Sequence, residues 1–138
     1  MDNELVALLR AVPLFSPLSE EQAAKLLAFV RFERRGRGEA IVLQGEAGDS
    51  FYVVYSGRVE VSVAKRLFGS KTVAELGPGD FFGELSLMLD QPRAATVKCL
   101  EDCELLVFKR LEFEMMLSRH PDVEKAVRDA ARRRFSGR

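Results

Sequence analysis

Glu84 and Arg93 stand nine residues apart in a stretch of small and apolar residues, Phe82-Gly83-Glu84-Leu85-Ser86-Leu87-Met88-Leu89-Asp90-Gln91-Pro92-Arg93-Ala94-Ala95-Thr96-Val97. These types at this spacing suit one small, singly charged phosphate attached to a sugar. Gly83 has no Cβ and lets the backbone come close to a ligand. The Glu84 carboxylate can accept hydrogen bonds from a sugar hydroxyl. The apolar turn from Leu85 to Leu89 can offer free N–H groups at its first residues, and such a terminus favours an anion. Arg93 is permanently charged and can hold phosphate oxygens in a two-pronged fork. Ala94 and Ala95, which follow it, crowd nothing.

Positioning these groups requires elements on both sides. Leu5, Leu8, Leu9 and Val12 share one face at helical spacing. Pro13 and Pro17 end that pattern. Ser19-Glu20-Glu21-Gln22 reads as a capping box opening a second helix, with Ala23, Leu26, Leu27 and Val30 as its apolar stripe. From about Phe32 the period shortens. Runs at Ala40–Leu43, Phe51–Tyr55, Val59–Val63 and Val73–Leu76 alternate with glycine turns, of which Gly77-Pro78-Gly79-Asp80 is the strongest. Arg66 to Lys71 reads as a polar hairpin loop bending at Gly69. Ala95–Leu100 and Cys103–Phe108 read as a hairpin pair with Glu101-Asp102 at the tip. Helix returns with Phe113, Met116 and Leu117, and again after Pro121. There Val123, Ala126, Val127, Ala130 and Ala131 form a stripe that Arg134 extends. The arginines at 31, 34, 35 and 37 are interrupted by Glu33 and Glu39 and read as a solvated strand edge.

The stretch around Glu84 and Arg93 resembles the phosphate-binding cassette of the cyclic-nucleotide-binding domain family. That family includes protein kinase A regulatory subunits, the catabolite activator protein and cyclic-nucleotide-gated channels. Its pattern is Phe-Gly-Glu-Leu-Ala-Leu, a short variable stretch, then Pro-Arg-Ala-Ala-Thr-Val. This chain departs from it only at Ser86. The resemblance covers about Leu9 to Phe135. It implies a mainly β fold with flanking helices, an eight-stranded jelly-roll barrel between N-terminal helices and C-terminal lid helices. The expected layout is a single domain over 1–138, with helices over about 3–31, the barrel over about 32–109 and the C-terminal helices over about 110–135.

The resemblance also implies roles. Arg93 would neutralise the cyclic phosphodiester, helped by backbone N–H groups of Leu85, Ser86 and Ala94, with Gly83 giving close approach. Glu84 would take the ribose 2′-hydroxyl and hold the guanidinium by its charge. Val61, Val63 and Ala74 would wall the base or serve as ordinary core. Arg134 would stack on the purine from the lid helix, or else snorkel within a basic tail. In the family a threonine after the arginine commonly accompanies cGMP preference. Ala94 lacks that hydroxyl, so cAMP is the expected ligand, and no cofactor is expected. The function implied is a cAMP sensor whose terminal helices change pose on binding. The alternatives are a ligand-free scaffold of the same fold, or the sensor fragment of a transcription factor or channel whose effector is not in this chain.

Composition narrows the other classes. With 138 residues, 47% of them hydrophobic, the chain can bury a core, and ten phenylalanines with no tryptophan make phenylalanine its main large packing group. Lys+Arg and Asp+Glu both number 21, so no global field attracts nucleic acid or an anionic membrane, and direct nucleic-acid binding is not expected. One histidine does not furnish a metal-dependent cupin site, so an enzyme is not expected. No apolar run reaches the roughly 18 residues that span a bilayer. The acidic start is not a signal-peptide n-region, so the chain reads as cytoplasmic. Cys99 and Cys103 read as reduced strand thiols near each other, and His120 as a cap-region residue at a helix boundary.

Overall fold

The computed structural model describes residues 3–136, with side chains over 4–133. Two helices lead, α1 (Asn3–Ala11) and α2 (Glu20–Leu27), separated by a 3-10 turn at Pro13–Phe15. The expected capping box opens α2. Ser19 Oγ accepts from Gln22 N at 3.1 Å, and Gln22 Oε1 accepts from Ser19 N at 2.9 Å. The helix ends earlier than its stripe suggested, so Val30 lies beyond it in a turn whose N–H bonds Leu27 O.

Eight strands follow: β1 (Arg31–Arg35), β2 (Ala40–Val42), β3 (Ser50–Ser56), β4 (Val59–Ala64), β5 (Ser70–Leu76), β6 (Phe81–Phe82), β7 (Thr96–Cys99) and β8 (Cys103–Lys109). A short helix, α3 (Glu84–Met88), sits between β6 and β7, and α4 (Arg110–Arg119) and α5 (Pro121–Ser136) close the chain. The result is mainly β with flanking helices, and the strands form two antiparallel four-stranded sheets, β1-β8-β3-β6 and β2-β7-β4-β5. The expected closed barrel is not formed. Strand β6 is only two residues long because Gly83 turns the chain into α3, so no ladder joins it to the second sheet among the described residues.

A second correction concerns Glu101-Asp102. Strands β7 and β8 do not form a hairpin. β7 pairs with β2 and β4, whereas β8 pairs with β1 and β3. The short connection between them crosses from one sheet to the other. It runs beside the similar crossing from β3 to β4, and Leu100 N donates to Arg58 O at 2.9 Å. A tight two-residue link between alternating runs looks the same in sequence whether it turns within a sheet or steps between sheets. Cys99 and Cys103 flank this crossing, both free and buried. Burial, then the hydrogen bond with Cys103, pushes the Cys99 thiol up to about 12.

Two apolar clusters hold the fold. One lies between the first sheet and the helices, where Phe15, Phe51, Phe108 and Phe113 are almost wholly buried. Phe51 meets Phe113 at 5.1 Å and Phe108 at 5.5 Å between ring centroids. The other lies between the sheets around Val54, Val59, Val97, Leu105 and Val107. Val123 and Val127 of α5 are fully buried in the first cluster beside Leu87 of α3. So α5 is anchored to the core over this stretch. Among the described residues no helix is long and apolar enough to cross a membrane.

Candidate functional site

Strand β3 is the floor on which the site is built. β6 pairs with it, Tyr52 opposite Phe82, which places Gly83 over the start of β3. Gly83 has φ +97°, and a Cβ there would stand 2.9 Å from both Arg93 Nη1 and Ser50 O. Both the left-handed backbone and the close approach require glycine. The chain turns through α3 and reverses at Asp90, whose φ is +50°. Arg93 N then donates to Glu46 O, and Gly45 N to Arg93 O, both at 2.8 Å. This fixes the Arg93 backbone against the loop after β2 and sends its side chain back beneath α3.

The Arg93 guanidinium is buried, with only 6% of the residue exposed. Nη1 donates to Gly83 O at 3.0 Å and to Ser86 Oγ at 2.7 Å, and Nη2 donates to Ser50 O at 2.8 Å. These three bonds leave two of the five N–H groups of an arginine for another partner. Gly48 lies against the same group, and a Cβ there would come within 2.7 Å of Arg93 Cζ and Nε. Tyr52 lies 6.0 Å from Arg93 Cζ and stacks on Phe82 at 4.9 Å.

Every hydrogen-bond acceptor of Arg93 is a neutral oxygen, and among the described residues no carboxylate forms an ion pair with it. Burial pushes the guanidinium below its ordinary pKa. Tyr52, Asp49 and Glu84 pull it back up, and Arg110 adds to the lowering. Glu84, 2% exposed, therefore acts on Arg93 through space. The Glu84 charge bears on the guanidinium in this way, and Ser50, Gly83 and Ser86 make the direct bonds. Asp49 is held below the usual carboxylate range by the Ser50 hydroxyl at 2.8 Å, with Lys109 at 3.6 Å adding to the effect.

A cavity of about 710 Å³ opens above this group, between β4, β5, α3 and the segment after Arg93. Gly83, Glu84, Leu85, Ser86, Arg93, Ala94, Val61, Val63 and Ala74 all line it. The Arg134 side chain lies outside the described residues. No described residue of α5 lines the cavity. The lining pairs one charged end, at Arg93 and Glu84, with an apolar wall from Val42, Val61, Val63, Val73 and Val97. The first N–H groups of a helical turn have no acceptor within it, and Leu85 and Ser86 stand at the charged end.

Sequence reasoning missed several participants. Ser50 contributes a backbone carbonyl, which no side-chain type announces. Gly48 matters for the space it leaves. Ser86 reads as a plain small residue, yet its hydroxyl accepts from Arg93 and donates to Gly83 O at 3.3 Å. Lys65, Lys71 and Val73 enter the lining through the β4–β5 register, in which Val63 faces Lys71.

A pocket with a buried arginine at one end and an apolar wall at the other suits a small organic anion. Residues 32–120 match the family described as Cyclic nucleotide-binding domain, and the chain belongs to that family. It is 43% identical over 86 residues to a cAMP-dependent protein kinase regulatory subunit of Mycosarcoma maydis, covering 62% of this chain and 16% of that protein. It is 32% identical over 130 residues to a cyclic nucleotide-gated potassium channel of Rhizobium etli, covering 94% of this chain and 35% of the channel. The crystal structure of the Thermus thermophilus catabolite activator protein superposes with a TM-score of 0.84 at 32% identity, over 91% of this chain and 59% of that one. The chain therefore spans a minor part of the two sequence relatives and a little over half of the third protein.

Proposed function

We propose that this chain is a cAMP sensor, binding cAMP in preference to cGMP through Arg93 and Glu84 and altering the pose of its terminal helices. The observation that carries the reading is the buried Arg93 guanidinium. It is desolvated, satisfied only by neutral oxygens, and opens onto a cavity. A singly charged cyclic phosphate supplies the missing counter-charge. Its oxygens take the unused N–H groups and the free amides of Leu85 and Ser86, with Ala94 alongside. The Glu84 carboxylate accepts the ribose hydroxyl. The apolar wall at Val61, Val63 and Ala74 buries the base. Ala94 offers no hydroxyl to guanine, which favours adenine. Arg134 is the proposed lid contact.

The strand order, 1-8-3-6 facing 2-7-4-5, matches a jelly roll laid out as two sheets and supports that description of the architecture. The residues from α1 to α5 act as one sensing domain in the cytoplasm. The relatives named above support a regulatory rather than catalytic role, and they couple similar domains to a kinase, a channel and an activator. Sensing is thus separable from the effector. Relay to the helices runs through α3, because Leu87 shares a core with Val123 and Val127 of α5. Calorimetry on the purified chain tests the reading. A one-to-one heat with cAMP and a weaker one with cGMP is expected. A folded chain that binds neither is a ligand-free scaffold, and the proposal fails.

A further inference from the structure

The apolar tip of the β4–β5 hairpin lies outside the cavity lining and has the chemistry of a membrane-docking point. Lys65 N bonds Gly69 O at 3.0 Å and closes the turn. Leu67 and Phe68, within that turn, are 87% and 83% exposed, the two most exposed of the large hydrophobic side chains described. Neither lines the cavity. Two adjacent apolar groups on a projecting turn cost solvation with no return inside the fold.

The surrounding charge has one sign. Residues 61–74 include Lys65, Arg66 and Lys71 and no acidic residue, although the whole chain has no net charge. All three cations are exposed, and no ion pair neutralises them among the described residues. Lys65 and Lys71 sit two or three residues behind the apolar pair. Lys65 closes the base of the turn and Lys71 lies in β5, so both stand behind the apolar pair. An anionic bilayer presents the matching profile, with acidic headgroups above hydrocarbon at about 5–10 Å depth. The acidic residues of the hairpin, Glu60 and Glu75, face each other at its far end, so the convex point itself has only basic neighbours, and a protein partner would need a socket cut for it.

We infer that the Leu67–Phe68 tip inserts into anionic lipid surfaces, with Lys65, Arg66 and Lys71 held at the headgroups. Lys65 and Lys71 border both the tip and the cavity, so the inference is separated from the nucleotide reading through Leu67 and Phe68, which do not line the cavity. Sedimentation with vesicles of phosphatidylcholine alone or with roughly 30% phosphatidylserine tests it. Binding is expected only to the anionic vesicles, weakening as salt rises. Leu67→Ser/Phe68→Ser should reduce the bound fraction at least about fivefold while circular dichroism and nucleotide binding stay unchanged. The chain has no tryptophan, so Phe68→Trp gives a single reporter whose emission should shift to the blue on anionic vesicles. Absence of vesicle binding, binding indifferent to the double substitution, or an unshifted reporter overturns the inference. So does a wild-type dimer that the double substitution makes monomeric when no vesicle is bound, for then the tip seats on a second copy.

Discussion

Strands β3 and β5 are each seven residues long and lie in different sheets of the same fold, yet they live in opposite environments. The first five residues of β3 are buried. Phe51 and Val53 enter the helix-side core, and Tyr52 and Val54 enter the core between the sheets. Every residue of β5 but Leu76 is exposed. Strand β3 has neighbours on both edges, whereas β5 has β4 alone. Yet both border the site, β3 through Ser50 and Tyr52 beneath Arg93, β5 through Val73 and Ala74 on the wall. The Arg93 end thus rests on a strand that is buried over its first five residues. The other end rests on a wall that folding has not used up, and in the proposed function its apolar area is what the base buries.

This division is broken most directly in the core. Phe51→Ala should cost about 3–5 kcal/mol, because the ring is fully buried among four other phenylalanines. Denaturant unfolding measures it. A loss below about 1 kcal/mol would mean that β3 is not the tightly packed floor described. Next in size is Arg93→Ala. Hydrogen bonds to charged groups are worth about 1.5–3 kcal/mol each, so cAMP affinity should fall at least about tenfold. Unchanged affinity in a folded variant would remove Arg93 from the site.

The contrast was only half legible in the sequence. Helices α1 and α2, the capping box and α5 followed from apolar spacing and caps, because those signals are local. The Gly83–Arg93 stretch was legible because glycine, acid and arginine each answer a separate demand of one ligand. Strand partners were not legible. Pairing is decided by contacts far apart in sequence, so Cys103–Phe108 was matched to its chain neighbour when its partners are β1 and β3. For the same reason Ser50 went unseen, since its contribution is a carbonyl whose position depends on the β3–β6 register. The exposure of β5 was hidden because Val73 and Ala74 look the same whether they face a core or an empty pocket.

Two smaller effects sharpen the comparison. Ala94→Thr adds a hydroxyl where the cavity lining meets the segment after Arg93. It should narrow or reverse the preference for cAMP, chiefly by improving cGMP, as competition with both nucleotides would reveal. A ratio left unaltered assigns base choice to the β4–β5 wall instead. Hydrogen exchange with and without cAMP addresses the relay. Protection should rise in residues 83–95 and in residues 123–135, because ligand binding favours whichever helix pose it contacts better. A rise confined to 83–95 would place the switch at the N-terminal helices.

The smallest expected effect is the one that isolates β5. Val73 is 53% exposed and sits in the cavity lining. Val73→Ala removes two methyl groups that the unliganded fold scarcely uses, so unfolding free energy should change by less than about 0.5 kcal/mol. The bound base, however, would bury part of those groups. At about 0.8 kcal/mol per buried methylene-sized group, partial burial is worth about 0.5–1 kcal/mol, or roughly a two- to fivefold loss of cAMP affinity. Paired unfolding and calorimetry on the one variant separate the two terms. Lost stability with unchanged affinity would make β5 an ordinary structural strand and erase its contrast with β3. Lost affinity at constant stability would mark it as apolar surface held in reserve for the ligand.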